Sequence, residues 1–288
     1  MIVVQVIAIL ALAPLVQGAM KRVRANLQGR PGPGLFQRYR DLRKLLGKEA
    51  LLPDVVSPLT VAAPGVVLGV AVTFAAVLPI APVAFANPVD IVALVLLLAA
   101  GRFVTTLAAL DTRSSFAGMA ASREMTFGAL VEPTLLLSLL GAAGAGGTQL
   151  GALAHTPFGL PGALALAAFF VVILAETARV PIDNQETHYE LTMIHEGLLL
   201  EFSGWQLAAM EFASDIRQLA FLILAVALLP APSPAFHLLW LPVVMAAIVG
   251  VETLFAKMRL FEVPQLLLTG FILSIAGIGL RIFGGHLL

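Results

Sequence analysis

The sequence predicts an all-α polytopic membrane protein with about eight transmembrane helices. Its mean hydropathy is +0.97 and only 12% of its residues are charged, which is outside the usual range for soluble domains. Several apolar runs reach the ~20 residues that a helix needs to cross a bilayer. Strands of a membrane barrel would be ~10 residues long with strict alternation, so these runs indicate helices.

The predicted spans follow one another without a soluble second domain, so residues 1–288 are predicted to form a single transmembrane domain. The first run lacks a preceding basic segment and is followed by a basic cluster, which indicates a membrane span rather than a cleaved signal peptide. The eight spans cover residues 1–20, 57–79, 88–110, 125–145, 159–176, 207–229, 236–256 and 264–286.

The distribution of Lys and Arg predicts the orientation in the membrane. Nine of the 17 basic residues lie between Lys21 and Lys48. Further basic residues lie in later loops on the same side, at Arg113, Arg123, Arg179, Lys257 and Arg259. The alternate loops, near 80–88, 146–158 and 230–236, contain none. Since basic loops stay in the cytoplasm, both termini are predicted to lie outside.

The first cytoplasmic loop, residues 21–55, is predicted to contain a basic amphipathic helix on the membrane surface. Its apolar residues recur at helical spacing with Arg and Lys between them, at Leu35, Phe36, Tyr39, Leu42, Leu45 and Leu46. The alternative is an irregular loop that only follows the positive-inside rule. The stretch "GRPGPG" lacks the Gly-Lys-Ser/Thr ending of a phosphate-binding loop, and its prolines remove backbone donors, so nucleotide binding is not expected.

The second notable loop, residues 176–206, is acidic. It contains one basic residue, Arg179, and six acidic residues: Glu176, Asp183, Glu186, Glu190, Glu196 and Glu201. Close carboxylates raise one another's affinity for protons, which predicts a funnel that accepts protons near neutral pH. A solvated or partner-docking loop is the alternative. His188 and His195 could suggest a metal, but the Glu-x-x-His repeat of carboxylate di-metal sites is absent, so no metal is expected.

Several ionisable residues fall inside the predicted spans when position is converted to depth at ~1.5 Å per residue. They are Arg102, Glu132, Glu211, Asp215, Arg217 and Glu252. Each ionised residue at the bilayer centre costs ~2.5–3.5 kcal/mol, so these groups are expected to face one another across a hydrated cavity. The alternative is purely structural ion pairing, of Arg102 with Glu132 and of Arg217 with Asp215 or Glu211.

All of these groups lie in the cytoplasmic halves of the spans. The outer halves are apolar, with Asp90 and Arg281 only near the outer ends. A proton could therefore reach mid-membrane from the cytoplasm but would have to leave through a partner subunit, so the sequence predicts a half-channel. The chain also contains no cysteine, and iron–sulfur clusters and thiolate-bound metals need cysteine. No cofactor is expected in this chain.

The acidic loop, "AETARVPIDNQETHYELTMIHEGLLLEFSG", resembles the signature of the H-type (ND1) membrane subunits of respiratory complex I. The stretch "RPGPGLFQRYRDLRKLLGKE" is similar to the first cytoplasmic loop of that family. "THYELTMIHE", "LDTRSSFAGMAASREMTFGALVEP" and "ETLFAKMRLFEVPQ" resemble more closely the membrane subunit of group 4 [NiFe]-hydrogenases, of the formate hydrogenlyase subunit 4 / hydrogenase-4 component C type. The resemblance covers nearly the whole chain. It departs from complex I around "NQETHYELTMIHE", so it does not imply an intact quinone chamber.

The resemblance implies a non-catalytic subunit at the heel of a membrane arm in the cell inner (cytoplasmic) membrane. Its implied partners are the large and small [NiFe]-hydrogenase subunits, iron–sulfur subunits and antiporter-like membrane subunits. The [NiFe] centre and the iron–sulfur clusters would lie on those partners. The resemblance assigns docking and loop order to Arg22, Arg24, Arg30 and Arg179.

The proton path predicted from the resemblance consists of Glu132, Glu176, Glu190, Glu196, Glu201, Glu211 and Glu252, and the residue analysis adds Asp183, Glu186 and Asp215. The leading hypothesis is thus a hydrogenase-complex subunit with a glutamate-lined proton half-channel coupled to electron transfer. The alternatives are an H-type quinone-site subunit of a complex I-like NADH dehydrogenase and a purely structural anchor. A stand-alone transporter is disfavoured because the outer halves lack polar groups.

Overall fold

Nine α-helices account for most of the chain that the structure describes. The structure is a computed structural model, and it describes residues 2–51, 53, 56–78, 89–144, 147–154, 158–184, 193–230 and 234–284, with the backbone alone at 234–238 and 284. The helices are α1 (Ile2–Leu27), α2 (Gln37–Leu46), α3 (Pro58–Val77), α4 (Ile91–Asp111), α5 (Ser115–Ala143), α6 (Leu160–Glu176), α7 (Gly204–Ala227), α8 (Pro234–Leu254) and α9 (Val263–Gly284).

The prediction of an all-α polytopic membrane protein is confirmed. By length and composition, α1, α3, α4, α5 and α9 can cross a membrane, and α6 and the Leu239–Leu254 part of α8 are shorter apolar helices. Helix α7 has 24 residues but carries Glu211, Asp215 and Arg217, which interrupt its apolar sequence. The orientation of the termini stays a prediction.

Two helices extend well beyond the predicted spans, both on the predicted cytoplasmic side. Helix α1 continues to Leu27 and α5 begins at Ser115, whereas the sequence predicted an end at 20 and a start at 125. Hydropathy marks where a helix lies in lipid, not where its hydrogen bonding begins. Because residues such as Arg123 and Glu124 are polar, hydropathy did not detect the N-terminal part of α5.

The core of the bundle lies where α3, α6 and α7 meet. Phe74, Phe169 and Phe221 are fully buried there. The rings of Phe74 and Phe221 pack edge to face with centroids 5.2 Å apart, and Phe169 lies 6.2 Å from Phe221. Helix α1 packs on α7, α3 packs on α4, and α9 closes the other side against α5 and α6. Helix α7 is thus surrounded by other helices, which allows it to carry charged residues away from lipid.

The predicted amphipathic helix in the first cytoplasmic loop is present as α2. It packs against α7 and α1 rather than only lying on the membrane surface. Leu42 is buried, and the Tyr39 hydroxyl donates a hydrogen bond to the carbonyl of Ala11. A Cβ on Gly18 would lie 2.4 Å from the carbonyl oxygen of Leu35, so a glycine is required where the loop crosses α1.

Candidate functional site

A cavity of about 370 Å³ lies between the helices and is lined by charged side chains. Nine ionisable side chains on its walls come from the membrane helices: Lys21, Arg24, Arg102, Glu124, Glu176, Glu211, Asp215, Arg217 and Glu252. Four come from the loop after α6, namely Arg179, Asp183, His195 and Glu196, and Arg38 comes from α2. The prediction that acids of the fourth to seventh membrane helices share one cavity is confirmed for Glu176, Glu211, Asp215 and Glu252. Glu132 is outside the lining but contacts Arg102.

Arg102 on α4 is the centre of the first charge cluster and is only 8% exposed. Its Nε lies 3.0 Å from Oε1 of Glu124, and its Nη1 lies 2.9 Å from Oε1 of Glu132. Its Nη2 donates a hydrogen bond to Oε1 of Glu176. The prediction that Arg102 lies near Glu132 or another buried acid is confirmed. One guanidinium therefore holds carboxylates from two helices, α5 and α6.

Gly128 on α5 makes room for this arginine. A Cβ at that position would lie 2.9 Å from Nη1 and 3.1 Å from Cδ of Arg102. Gly128 is separated by one helical turn from both Glu124 and Glu132, so it lies on the same face of α5. Arg102 can therefore cross this face and reach an acid on each side of the glycine.

Glu252 on α8 is the centre of a second cluster. Its Oε1 lies 2.8 Å from Nη1 of Arg179 and 3.6 Å from Nη1 of Arg24. Arg179 also donates a hydrogen bond to Oε1 of Gln17. Oε2 of Glu252 and Nε of Arg179 are buried and have no hydrogen-bond partner among the described residues. Among the described residues, the cluster thus has one unsatisfied acceptor, Oε2 of Glu252, and one unsatisfied donor, Nε of Arg179.

The third cluster joins α2 to α7. Arg38 donates from Nε to Oδ2 of Asp215 at 2.7 Å and from Nη1 to Oε2 of Glu211 at 2.8 Å. The alternative of an ion pair between Arg217 and Asp215 or Glu211 is not found, since Arg38 contacts both carboxylates. Asp215 and Arg217 are two positions apart, so they project to different sides of a helix. Arg217 instead interacts electrostatically with Glu124 and His195 and forms no ion pair with any described residue.

The loop after α6 is tied to the loop after α8 through Asp183, which is 2% exposed. Nζ of Lys257 lies 2.9 Å from its Oδ1, and the backbone N–H of His195 donates to its Oδ2 at 3.1 Å. The adjacent backbone N–H of Met258 donates to the carbonyl of Pro181 at 2.9 Å, which fixes Lys257 in place. Burial opposes ionisation of Asp183, but His195 and Lys257 outweigh it and lower its pKa.

His195 lies between two carboxylates from different parts of the chain. Its Nδ1 is 3.4 Å from Oδ2 of Asp183, and its Nε2 is 3.6 Å from Oε2 of Glu124. Burial lowers the pKa of the imidazole, but the charges of Glu124 and Asp183 raise it more, so the net shift is upward. The imidazolium form is therefore favoured at this position.

The remaining predicted site residues fall into three groups. Glu186 and Glu190, with His188, lie outside the described residues. Glu196 begins a short 3-10 helix, Glu196–Leu198, and lines the cavity. Glu201 is partly exposed and does not belong to the cavity lining among the described residues.

The predicted docking arginines divide by exposure. Arg22 and Arg30 are exposed, as docking requires. Arg24 and Arg179 are buried and contact Glu252, so docking does not fit them, whereas the loop order also predicted for Arg179 fits its contacts and stays a prediction. Sequence position could not separate them, because Arg22 and Arg24 are only two residues apart on α1 and project to opposite sides.

Sequence reasoning missed five site residues: Gln17, Arg38, Glu124, His195 as an ion-pair partner, and Lys257. Glu124 was detectable, because it lies eight positions before Glu132 and so near the same face of a helix. The others pair with residues far away in the chain, and no local pattern marks them.

The fold and the cavity are those of a polytopic membrane protein with ionisable groups buried between its helices. The sequence matches the NADH dehydrogenase family over residues 1–281, and the chain belongs to this family. It is 37% identical over 228 residues to formate hydrogenlyase subunit 4 of Escherichia coli, covering 76% of this chain and 73% of that protein. It is 38% identical over 232 residues to hydrogenase-4 component C of the same organism, covering 78% and 73%.

More distant relatives extend the comparison. An H-type NADH-quinone oxidoreductase subunit of Solibacter usitatus is 28% identical over 257 residues, covering 77% of this chain and 64% of that protein. In a solved structure of the membrane-bound sulfane sulfur reductase, an archaeal respiratory membrane complex, one chain matches with a TM-score of 0.82 and 16% identity, covering 97% of this chain and 98% of that chain. The match to that structure shows a shared fold. The resemblance predicted from the sequence is confirmed.

Proposed function

We propose that this chain is the membrane-arm subunit of a formate hydrogenlyase or group 4 [NiFe]-hydrogenase-type complex in the cell inner membrane. It anchors a cytoplasmic hydrogenase module and provides a glutamate-lined proton half-channel coupled to electron transfer. Its similarity to two hydrogenase-complex subunits supports the assignment. Since the chain has no cysteine, the [NiFe] centre and iron–sulfur clusters belong to partner subunits in this proposal.

The observation that carries the proposal is the convergence of acids from four helices on one cavity. Glu124, Glu176, Asp215 and Glu252 come from α5, α6, α7 and α8, and each is at most 7% exposed. Buried carboxylates that touch a common hydrated space can exchange protons through short hydrogen-bonded steps. A set of structural ion pairs alone would not need a shared cavity.

The outer part of the described bundle supports a half-channel rather than a full channel. Asp90 caps the N-terminus of α4 and accepts a hydrogen bond from Thr148. Arg281 donates to the carbonyl of Ala142 at 3.2 Å. Both groups are engaged at the ends of helices and lie outside the cavity lining. A proton would therefore leave sideways, into an antiporter-like neighbour.

The experiment compares Glu176→Gln and Glu252→Gln with wild type in the complex purified through this chain and reconstituted in proteoliposomes. Hydrogen production and proton movement are measured together. Electron transfer should persist while proton movement falls at least ~10-fold, as expected when a proton-transfer group is lost. Glu49→Gln, at an exposed position of the first cytoplasmic loop, is the control and should behave like wild type. Unchanged coupling in both buried variants, and in Glu132→Gln and Glu211→Gln, would contradict the half-channel and favour a structural anchor.

The second candidate is a quinone-site subunit, and the cavity itself favours it. Its volume of about 370 Å³ lies within the range of small-molecule sites. Val67, Val70 and Leu98 add apolar surface to its lining. Photo-affinity labelling of the complex with a quinone analogue tests this candidate. Labelled peptides containing Val67 or Leu98, displaced by excess quinone, would favour it over the hydrogenase assignment.

A further inference from the structure

The charged groups around the loop after α6 form an alternating row. Lys257 contacts Asp183, Asp183 contacts His195, His195 faces Glu124, and Glu124 contacts Arg102, with distances of 2.9, 3.4, 3.6 and 3.0 Å. The row runs from the loop after α8 to the middle of α4. Lys257 and Arg102 at its ends carry permanent charges at physiological pH. His195 is the member whose charge can change near neutrality.

The two carboxylates of this row hold the imidazole on both ring nitrogens. Asp183 turns Oδ2 toward Nδ1 while Lys257 occupies its Oδ1. Glu124 turns Oε2 toward Nε2 while Arg102 occupies its Oε1. Each carboxylate therefore keeps one oxygen for a permanent cation and one for the histidine. An imidazole held in this way can take up a proton on one nitrogen and release another from the opposite nitrogen.

The surroundings of His195 fix its position without fixing its charge. Arg123 donates from Nη1 to the carbonyl of Met193 at 2.9 Å, which holds the loop two residues before the histidine. A Cβ on Gly197 would lie 2.5 Å from Cβ of Ala120, so the turn after the histidine is pressed onto α5. The side chain of His195 is 18% exposed and lines the cavity, so water can reach it.

We infer that His195 is a proton carrier that transfers protons from the cytoplasmic loop to Glu124 and the Arg102 cluster. This role was not predicted from the sequence, and it rests on the proposed function. A proton from the Asp183 side binds Nδ1 and forms the imidazolium. The proton on Nε2 then passes to Oε2 of Glu124, which leaves a neutral imidazole and a neutral carboxyl. Reorientation of the ring or a return proton through water restores the starting tautomer.

The charge balance of the surrounding residues is consistent with this role. The charged groups that interact with His195, or that contact the members of the row out to Arg102, are Glu124, Asp183, Glu132, Glu176, Arg102, Arg217 and Lys257. These are four acids and three bases, so the described set carries one negative charge when His195 is neutral and none when it is protonated. Glu196, the next residue in the loop, is partly exposed at the cavity. A single proton on His195 therefore brings the net charge of this whole set, which is the row together with Glu132, Glu176 and Arg217, to zero.

The test uses His195→Gln, His195→Lys and His195→Ala in the reconstituted complex, with hydrogen production and proton movement measured from pH 6 to 9. Gln keeps hydrogen bonding and Lys keeps a positive charge, but neither can act as a neutral-pH relay. Both should lose proton movement at least tenfold while hydrogen production continues. Added imidazole should restore proton movement in His195→Ala. Full coupling in His195→Lys would show a structural cation bridge and overturn the inference, and so would full coupling in His195→Gln.

Two further variants test the role of His195 separately from the proposed function on which it rests. Glu49→Gln, at an exposed position of the first cytoplasmic loop, is the control and should keep the wild-type pH profile of proton movement. Lys257→Met removes one cation from Asp183, which then favours the imidazolium more, so the midpoint of the profile should move to higher pH. An unmoved midpoint would overturn the inference even if the His195 variants fail to assemble. Lost coupling in Glu176→Gln and Glu252→Gln with intact coupling in the His195 variants would contradict this inference and leave the proposed function standing.

Discussion

The buried charges of this protein are tolerated because each carboxylate of the charge clusters described above has a cation partner within 4 Å. Arg102 serves three acids, and Arg179 with Arg24 serves Glu252. Removing one member of a buried pair typically costs ~3–5 kcal/mol, since it leaves an uncompensated charge. The same side chains therefore set both the stability and the chemistry of the cavity, and the residues that make room for them matter as much as the charges.

Gly128→Ala tests how closely Arg102 is fitted. The new Cβ would lie 2.9 Å from Nη1 of Arg102, so the guanidinium has to shift away from its acids. The substitution is expected to destabilise the protein by ~1–3 kcal/mol, as overpacking does. The measurement is the midpoint of thermal unfolding of the purified chain in detergent. Gly118→Ala is the matched control on the same helix, because nothing lies within 4 Å of its added Cβ. It should be neutral or stabilising by ~0.5–1 kcal/mol.

The raised pKa of His195 predicts how stability depends on pH. Burial disfavours the imidazolium, but Glu124 and Asp183 outweigh burial, so the folded protein binds this proton more tightly than the unfolded chain, with its pKa of ~6.5. The stabilisation is fully present below pH ~6.5 and is lost as pH rises through the folded pKa. The difference in melting temperature between wild type and His195→Gln should therefore shrink from pH 6 to pH 9. A constant difference over this range would contradict the assigned shift.

Among the helices, α2 does more than lie on the membrane surface, because it packs against α7 and contacts it through Arg38. Arg38 and Leu42 lie on its inner face, whereas Arg40, Arg43 and Lys44 are exposed. Arg38 contacts Asp215 through both Nε and Nη2, at 2.7 and 3.0 Å. The first cytoplasmic loop therefore contributes directly to the electrostatics of the cavity, although it lies outside the membrane-spanning part of the chain.

Arg38→Met should release α2 and weaken the bundle. Asp215 is 2% exposed and would be left without its partner, so the expected loss is ~3–5 kcal/mol. Hydrogen exchange of residues 37–46, measured by mass spectrometry, should increase together with a lower unfolding midpoint. Arg43→Met, on the exposed face of the same helix, should change stability by no more than ~0.5 kcal/mol. The double variant Arg38→Met/Asp215→Asn should recover part of the loss, because it removes the unpaired charge.

At the scale of the whole molecule, the charged groups gather at one end of the bundle. The cavity and its ion pairs lie toward the basic loops, while the described helix ends on the other side carry only Asp90 and Arg281 as charged groups with described contacts. One side of the molecule is therefore polar and the other side is apolar. The positive-inside rule predicts that the polar side faces the cytoplasm.

The absence of cysteine makes this orientation directly testable. Single cysteines at Lys44 and Gln149 lie at exposed positions on opposite sides of the bundle. In spheroplasts, whose cytoplasmic membrane is intact, a membrane-impermeant maleimide should label Gln149→Cys. Lys44→Cys should stay unlabelled until the membrane is permeabilised. Because the wild-type chain gives no signal, the assay has no background from this protein. The reverse labelling pattern would place the cavity on the opposite side of the membrane.

The sequence alone determined the class of protein, the membrane helices and the polar side of the bundle. Seven of the eight predicted spans start within about three residues of a helix start, and the exception is α5, which begins ten residues early. These features were readable because a helix in lipid satisfies its backbone hydrogen bonds within one segment, so its apolar length is local information. The site acids inside the spans were readable for the same reason, since an apolar run makes a charge conspicuous.

Only the tertiary structure decided which charges meet. Arg38 and Asp215 are 177 positions apart, and Arg102 and Glu176 are 74 apart. The sequence offered Arg217 as an alternative partner of Asp215, where the folded chain places Arg38. Nor could it separate the buried Arg24 and Arg179 from the exposed Arg22 and Arg30. Electrostatic pairing depends on distance through space, and that distance is set by how the helices pack. The path that we infer through His195 depends on two loops and two helices, which bring their side chains within a few ångströms of one another.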